Sequence, residues 1–95
     1  GPPLKTTSVE ETWSEIRNSL RLWPNPASDY LKIDAGDLPL SGSVYISFLD
    51  FYGRELMRVP YSEIIDISSL HEGIYIVITG NGDKPVGYNR LVITR

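Results

Sequence analysis

From Leu20 onward, apolar residues recur at every second position. Leu20 and Leu22, then Leu31 and Ile33, then Val44, Ile46 and Phe48, alternate with Arg21, Lys32, Tyr45 and Ser47, which is the period of half-buried strands. Glu55–Val59 and Ile64–Ile67 read as two more short strands. The stretch Gly73-Ile74-Tyr75-Ile76-Val77-Ile78-Thr79 is apolar or aromatic on both faces, which suits a central strand. Tyr88–Thr94 closes the series. About seven short strands at close spacing, separated by turn signals, predict an all-β fold, an immunoglobulin-like antiparallel β-sandwich.

The punctuation between the strands agrees with this. Asp50-Phe51-Tyr52-Gly53 predicts a hairpin in which Asp50 opens a type I turn and Gly53 takes a positive φ. Leu38-Pro39-Leu40-Ser41-Gly42 links the second and third strands. Gly80-Asn81-Gly82-Asp83, extended by Lys84-Pro85-Val86-Gly87, predicts a loop of about eight residues, longer than the usual hairpin connection. Between the first two strands stands Trp23-Pro24-Asn25-Pro26-Ala27-Ser28-Asp29-Tyr30. Its two prolines lack backbone donors and fix φ, and the residues before them are driven toward extended conformations. A stiff corner follows, which Ser28 and Asp29 can turn through local side-chain hydrogen bonds.

Residues 1–19 differ in character. Gly1-Pro2 is a pair commonly left by tag-removing proteases, so the chain is expected to be a fragment of a longer protein; Pro2-Pro3 and Thr6-Thr7-Ser8 have linker composition. Ser8 and Glu11 have capping-box spacing, which predicts a short helix through Arg17 with Trp13 and Ile16 on one face. A helix so short is marginal by itself, and the segment is read as a mobile linker. The second unit, residues 20–95, is long enough for one domain with a small core.

Composition narrows the chemistry. The 95 residues carry a formal charge of −3 with no cysteine, which removes disulfides, thiolate nucleophiles and sulfur-ligated metals. Cations and carboxylates are interspersed, so no basic stripe is present to engage nucleic acid. No apolar run reaches the roughly 20 residues needed for a bilayer-spanning helix, and membrane insertion of the domain is not expected. The single histidine, His71, lies in the Ser68–Gly73 turn without a Gly-x-Ser-x-Gly elbow nearby. Asp34 with Asp37 and Asp66 with Glu72 are near in sequence, but both pairs fall where Asp is a turn residue. No Asp-x-Asp-x-Asp-Gly loop exists for calcium. No cofactor and no catalytic set can be named. Six tyrosines and two tryptophans are expected mainly in packing, except Phe51 and Tyr52, which a hairpin tip would expose.

Four motifs in this order resemble one known family. They are Pro24-Asn25-Pro26-Ala27-Ser28-Asp29, the Asp50-x-x-Gly53-Arg54 hairpin, Ile67-Ser68-Ser69-Leu70 leading to Gly73-x-Tyr75-x-Val77, and the terminal Arg90-Leu91-Val92-Ile93-Thr94-Arg95. The chain from about residue 20 to 95 resembles the C-terminal sorting domain of the type IX (Por) secretion system of Bacteroidota. Two departures are a proline-bearing loop at Gly80–Gly87 and Trp23 where the family often has tyrosine or phenylalanine.

The resemblance implies a non-enzymatic export signal on a larger parent protein. By that analogy Gly73, Tyr75 and Val77, with Arg90, Leu91, Val92, Ile93 and Arg95, carry the signal, and Pro24, Asn25, Pro26, Ala27 and Asp29 form the other shared motif. The implied partners are the type IX translocon and its sortase. The implied route runs through the periplasm to the outer-membrane surface or the medium, with any sortase cut within residues 3–19. An edge position for the last strand would let Tyr88–Arg95 pair with the machinery, with Arg90 and Arg95 adding charge, and would also permit a homodimer. A different class of reading is a retained immunoglobulin-like binding module that uses the Phe51–Tyr52 tip.

Overall fold

The computed structural model describes residues 20–36, 42–82 and 84–95. The linker and short helix expected in residues 1–19 lie outside the described residues, as does most of the Leu38–Gly42 connection. Among the described residues seven strands form: β1 (Arg21–Trp23), β2 (Tyr30–Asp34), β3 (Val44–Leu49), β4 (Glu55–Pro60), β5 (Ile64–Asp66), β6 (Gly73–Asn81) and β7 (Lys84–Ile93). They make two antiparallel sheets, one ordered β1-β2-β5 and the other β4-β3-β6-β7. The immunoglobulin-like sandwich expected from the period-two pattern is what the chain forms.

The alternation decides which side chains fill the space between the sheets. Leu22 on β1, Leu31 and Ile33 on β2, and Ile65 on β5 face Ile46 and Phe48 on β3 and Val77 on β6, all at most 9% exposed. Phe48 is fully buried at the centre, where truncation to alanine costs about 3–5 kcal/mol. Among the described residues two polar ones are also buried, Ser47 and Thr79, each with a partner. The Thr79 hydroxyl donates to the Tyr45 carbonyl at 3.2 Å and the Ser47 hydroxyl to Glu55 at 2.6 Å.

One connection differs from the expectation. Instead of a loop over Gly80–Gly87, β6 runs through Asn81 and β7 resumes at Lys84, with Gly80 opposite Pro85. A register shift at Thr79/Gly80 absorbs the proline, and Pro85 is tolerated because β7 is an edge strand. The turn is tied back by the Gly82 N–H, which donates to the Ser43 carbonyl at 2.9 Å, while Gly82 holds a φ of 64°. Gly80 also leaves room for the Tyr45 ring, since a Cβ there would fall 2.2 Å from ring atoms.

The hairpin at Asp50 forms as its sequence predicts. Gly53 has a φ of 85° and its N–H donates to the Asp50 carbonyl at 3.0 Å. The Asp50 carboxylate accepts from the N–H groups of Tyr52 and Arg54 at 2.8 and 2.9 Å, and from the Arg54 guanidinium at 2.8 Å. Phe51 and Tyr52 project into solvent, 81% and 84% exposed.

Candidate functional site

The Pro24–Asp29 corner, which reads as a local turn, is held by distant partners. Both its proline bonds, Trp23–Pro24 and Asn25–Pro26, are cis. Among the described residues, the local side-chain bonds expected of Ser28 and Asp29 do not form. Instead the Asn25 amide lies along the outer edge of β7. Its Nδ2 donates to the Arg90 carbonyl at 2.9 Å and its Oδ1 accepts from the Val92 N–H at 3.0 Å. This is the donor and acceptor pattern of a neighbouring strand, supplied by one side chain. Ala27 continues it with backbone: its N–H donates to the Val92 carbonyl at 2.8 Å, and its carbonyl accepts from the Thr94 N–H at 2.9 Å. Ala27 is 2% exposed and makes a parallel bridge to Ile93.

Arg95 ties the same corner to the β5–β6 turn. Its guanidinium donates to the carbonyls of Ser28 and Ile67 at 2.6 and 3.0 Å, and to that of Leu70. Its backbone N–H donates to the Glu72 carboxylate at 2.8 Å. The turn itself meets the corner through the Ile67 N–H, which donates to the Asp29 carbonyl at 2.9 Å. Tyr75 completes the cluster by donating its hydroxyl to the His71 carbonyl. Asp29 contributes little by charge: its carboxylate is 77% exposed and 3.8 Å from Arg95, where solvent screens the pair.

Three of the four sequence motifs therefore converge at one end of the sandwich. Pro24–Asp29, Ile67–Gly73 and Arg90–Arg95 are joined by hydrogen bonds, while the Asp50–Arg54 hairpin forms a separate, self-contained unit. Within the convergent set, Tyr75, Val77, Leu91 and Ile93 point into the core and are at most 6% exposed. Arg95 is spent on main-chain carbonyls. Asn25 and Ala27 seal an edge. Of the named residues, Arg90 and Val92 keep side chains on the outer face, Arg90 exposed and Val92 half-buried.

β7 is the edge of its sheet, as expected of the last strand, yet its Arg90–Thr94 edge is already occupied. The Arg90 N–H is taken by the Asn89 side chain at 2.8 Å, and Asn89 also donates to the Leu20 carbonyl at 2.7 Å. Pairing of this segment with another chain would first require the corner to leave. Two other sheet edges are guarded as well, those of β4 and β5. Pro60 ends β4, which also carries a register shift, and the Ser62 hydroxyl donates to the Ile64 carbonyl at 2.9 Å on β5. Such devices keep sheet edges from pairing.

Sequence reasoning missed Asn89, and weighed Glu72 only for acid–base work and not as a partner of Arg95. Asn89 carried a signal, because asparagine is disfavoured in a strand unless its amide has a task. The carboxylates weighed for acid–base work are structural. Asp34 accepts from the Gly36 N–H at 2.8 Å and Asp66 from the Ser68 N–H at 2.9 Å, and the Ser68 contacts hold the Asp66 pKa below its ordinary value. Hydrogen bonds to the Ser47 hydroxyl, then to Arg58, lower the Glu55 pKa. Arg58 in turn lies 3.9 Å from the centre of the Tyr45 ring. Asp37 lies outside the described residues. Among the described residues no three His, Asp or Glu side chains are grouped to hold a metal ion, and no helix is long and apolar enough to cross a membrane.

No curated protein and no solved structure matches the chain. A family model described as "Secretion system C-terminal sorting domain" matches residues 21–94, a span that begins with β1 and takes in the corner, the β5–β6 turn and β7. The chain belongs to this family, the C-terminal sorting domains of type IX secretion.

Proposed function

We propose that this domain, folded, is the address that carries a larger parent protein from the periplasm through the type IX outer-membrane translocon. A surface sortase then removes the domain within residues 3–19 and attaches the cargo at the cell surface. The family is non-catalytic and its members mark secreted or surface cargo. The observation that carries it is the convergence of Asn25, Ala27 and Arg95 on the terminal strand. It makes the shared motifs one folded unit rather than separate peptides, so the feature recognised is a shape.

The test is a fusion of residues 3–95 behind an exported fluorescent reporter in a Bacteroidota host, scored for surface delivery and reporter mass. Surface reporter lacking the domain is the expected result, and a variant lacking Arg90–Arg95 should stay in the periplasm. A reporter that is trapped in the periplasm with the intact domain overturns the reading. A second reading, a retained binding module at the surface, is favoured by the projecting Phe51–Tyr52 tip; it requires surface reporter that keeps the domain.

A further inference from the structure

We propose that the tip of the β3–β4 hairpin is an anchor for a lipid surface, with Phe51 and Tyr52 entering the headgroup region of a bilayer and Arg54 meeting its phosphates. The contact is peripheral and spans nothing. It goes beyond the export reading and does not depend on it. Phe51 and Tyr52 are 81% and 84% exposed, the two most exposed large apolar side chains among the described residues. The tip follows Leu49, at the end of β3 away from the turn that Gly82 ties to Ser43. Aromatic side chains at such a projection are suited to the boundary between water and lipid, where an apolar ring is buried while a polar group stays wet.

Backbone, charge and area together select lipid as the occupant. The N–H groups of Asp50, Tyr52, Gly53 and Arg54 are all bonded within the turn, so the tip brings few unsatisfied donors to a medium that penalises them. The Asp50 side chain is only 15% exposed and is paired with Arg54, and Glu55 is paired with Arg58. These four charges cancel, and the tip presents no bare carboxylate to headgroup phosphates. The Arg54 side chain is 74% exposed and lies 6.0 Å from the Tyr52 ring, so a phosphate beside that ring also meets a guanidinium. The two rings stand at 83° with centroids 6.4 Å apart, and share no plane on which a sugar could stack across both. Together they can bury roughly 300–500 Å², well short of the about 800 Å² per partner of a specific protein interface. A lipid interface has no shape to match and accepts a small convex wedge, with a binding strength that follows the apolar area immersed. The resulting contact is weak and reversible.

The test mixes the purified chain with phosphatidylcholine bicelles that carry a spin-labelled lipid, and follows backbone amides by NMR. Broadening should centre on Phe51, Tyr52 and Gly53 and leave Ala27 and Val92 sharp. Because the local charges cancel, it should persist at high salt, where purely electrostatic attraction is screened. Combined Phe51→Ser and Tyr52→Ser, both at exposed positions, should unfold within a few degrees of wild type and reduce the broadening about tenfold. Ile64→Ser, at an exposed apolar position on β5, should leave it unchanged. No broadening of the wild-type chain, broadening centred elsewhere, or its loss at high salt overturns the proposal. A benzophenone side chain replacing Tyr52 in the exported reporter fusion tests the occupant in the host. Lipid adducts are expected, and a discrete protein adduct in their place overturns the assignment to lipid. Retention of the wild-type fusion in the periplasm would remove the export reading alone, since the bicelle measurement uses the purified chain.

Discussion

At the β3–β4 hairpin, Asp50 satisfies backbone N–H groups two and four positions along its own chain, whereas at the β1–β2 corner Asn25 reaches partners 65 and 67 positions away. Both residues do a similar chemical task, making hydrogen bonds with backbone groups at the end of a strand. They differ in what they make conditional. The Asp50 turn is complete within five residues and needs nothing from the rest of the chain. The corner is complete only when β7 lies beside it. One motif builds a local turn, and the other joins regions from opposite ends of the domain.

Breaking the long-range side should cost most. Arg95→Met removes the guanidinium from three carbonyls and is expected to lower stability by about 2–3 kcal/mol, since charge-assisted bonds outweigh neutral ones; urea unfolding of the purified domain measures this. Asn25→Ala deletes the amide that mimics a strand and is expected to cost about 1–2 kcal/mol, with a thermal midpoint lowered by several degrees. Hydrogen exchange should show the corner opening as a unit, with protection lost at Ala27, Val92 and Thr94 together. Loss at Val92 alone would mean that Ala27 holds the edge without Asn25.

Asp50→Ala should have a smaller effect on global stability, and its exchange should rise only at Tyr52, Gly53 and Arg54. The smallest effect separates the two regions by pH. The Arg54 N–H, then the Arg54 side chain and the Tyr52 N–H, lower the Asp50 pKa from its ordinary value of 3.8. A carboxyl whose folded pKa lies below its unfolded one contributes stability above the unfolded value and loses it as pH falls through the folded value. The hairpin should therefore weaken below about pH 4. The Asn25 amide does not titrate, so exchange at Val92 should stay flat over the window in which Tyr52 and Arg54 lose protection, at acidities where the domain remains folded. Parallel loss in both regions would show that they open together.

The same contrast explains what could be read from the sequence. Strand alternation and the Asp50-x-x-Gly53 turn are carried by residues within a few positions of one another, and both appeared as expected. The Gly80–Gly87 segment was misleading because proline and glycine signal a turn regardless of sheet position, while the fold seats Pro85 on an edge where the lost donor does little harm. Asn25 and Arg95 were legible as motif members, but not in their roles, since nothing near Asn25 in the sequence specifies that its amide will lie on residues 90 and 92. Ile74, Ile76 and Ile78 made β6 read as apolar on both faces, a pattern assigned to a central strand, and β6 is central within its sheet.

The bridge between Ala27 and Ile93 is parallel, and Leu20 is tied to Asn89 earlier along the same two segments. Tension applied between Leu20 and Arg95 therefore drags the two segments past one another along their length. The bonds at Leu20, Asn25 and Ala27 share such a load in shear, instead of parting one after another as in a peeled hairpin. A cargo pulling on the domain through residue 20 would thus meet its greatest mechanical resistance at the seam where the sorting motifs meet.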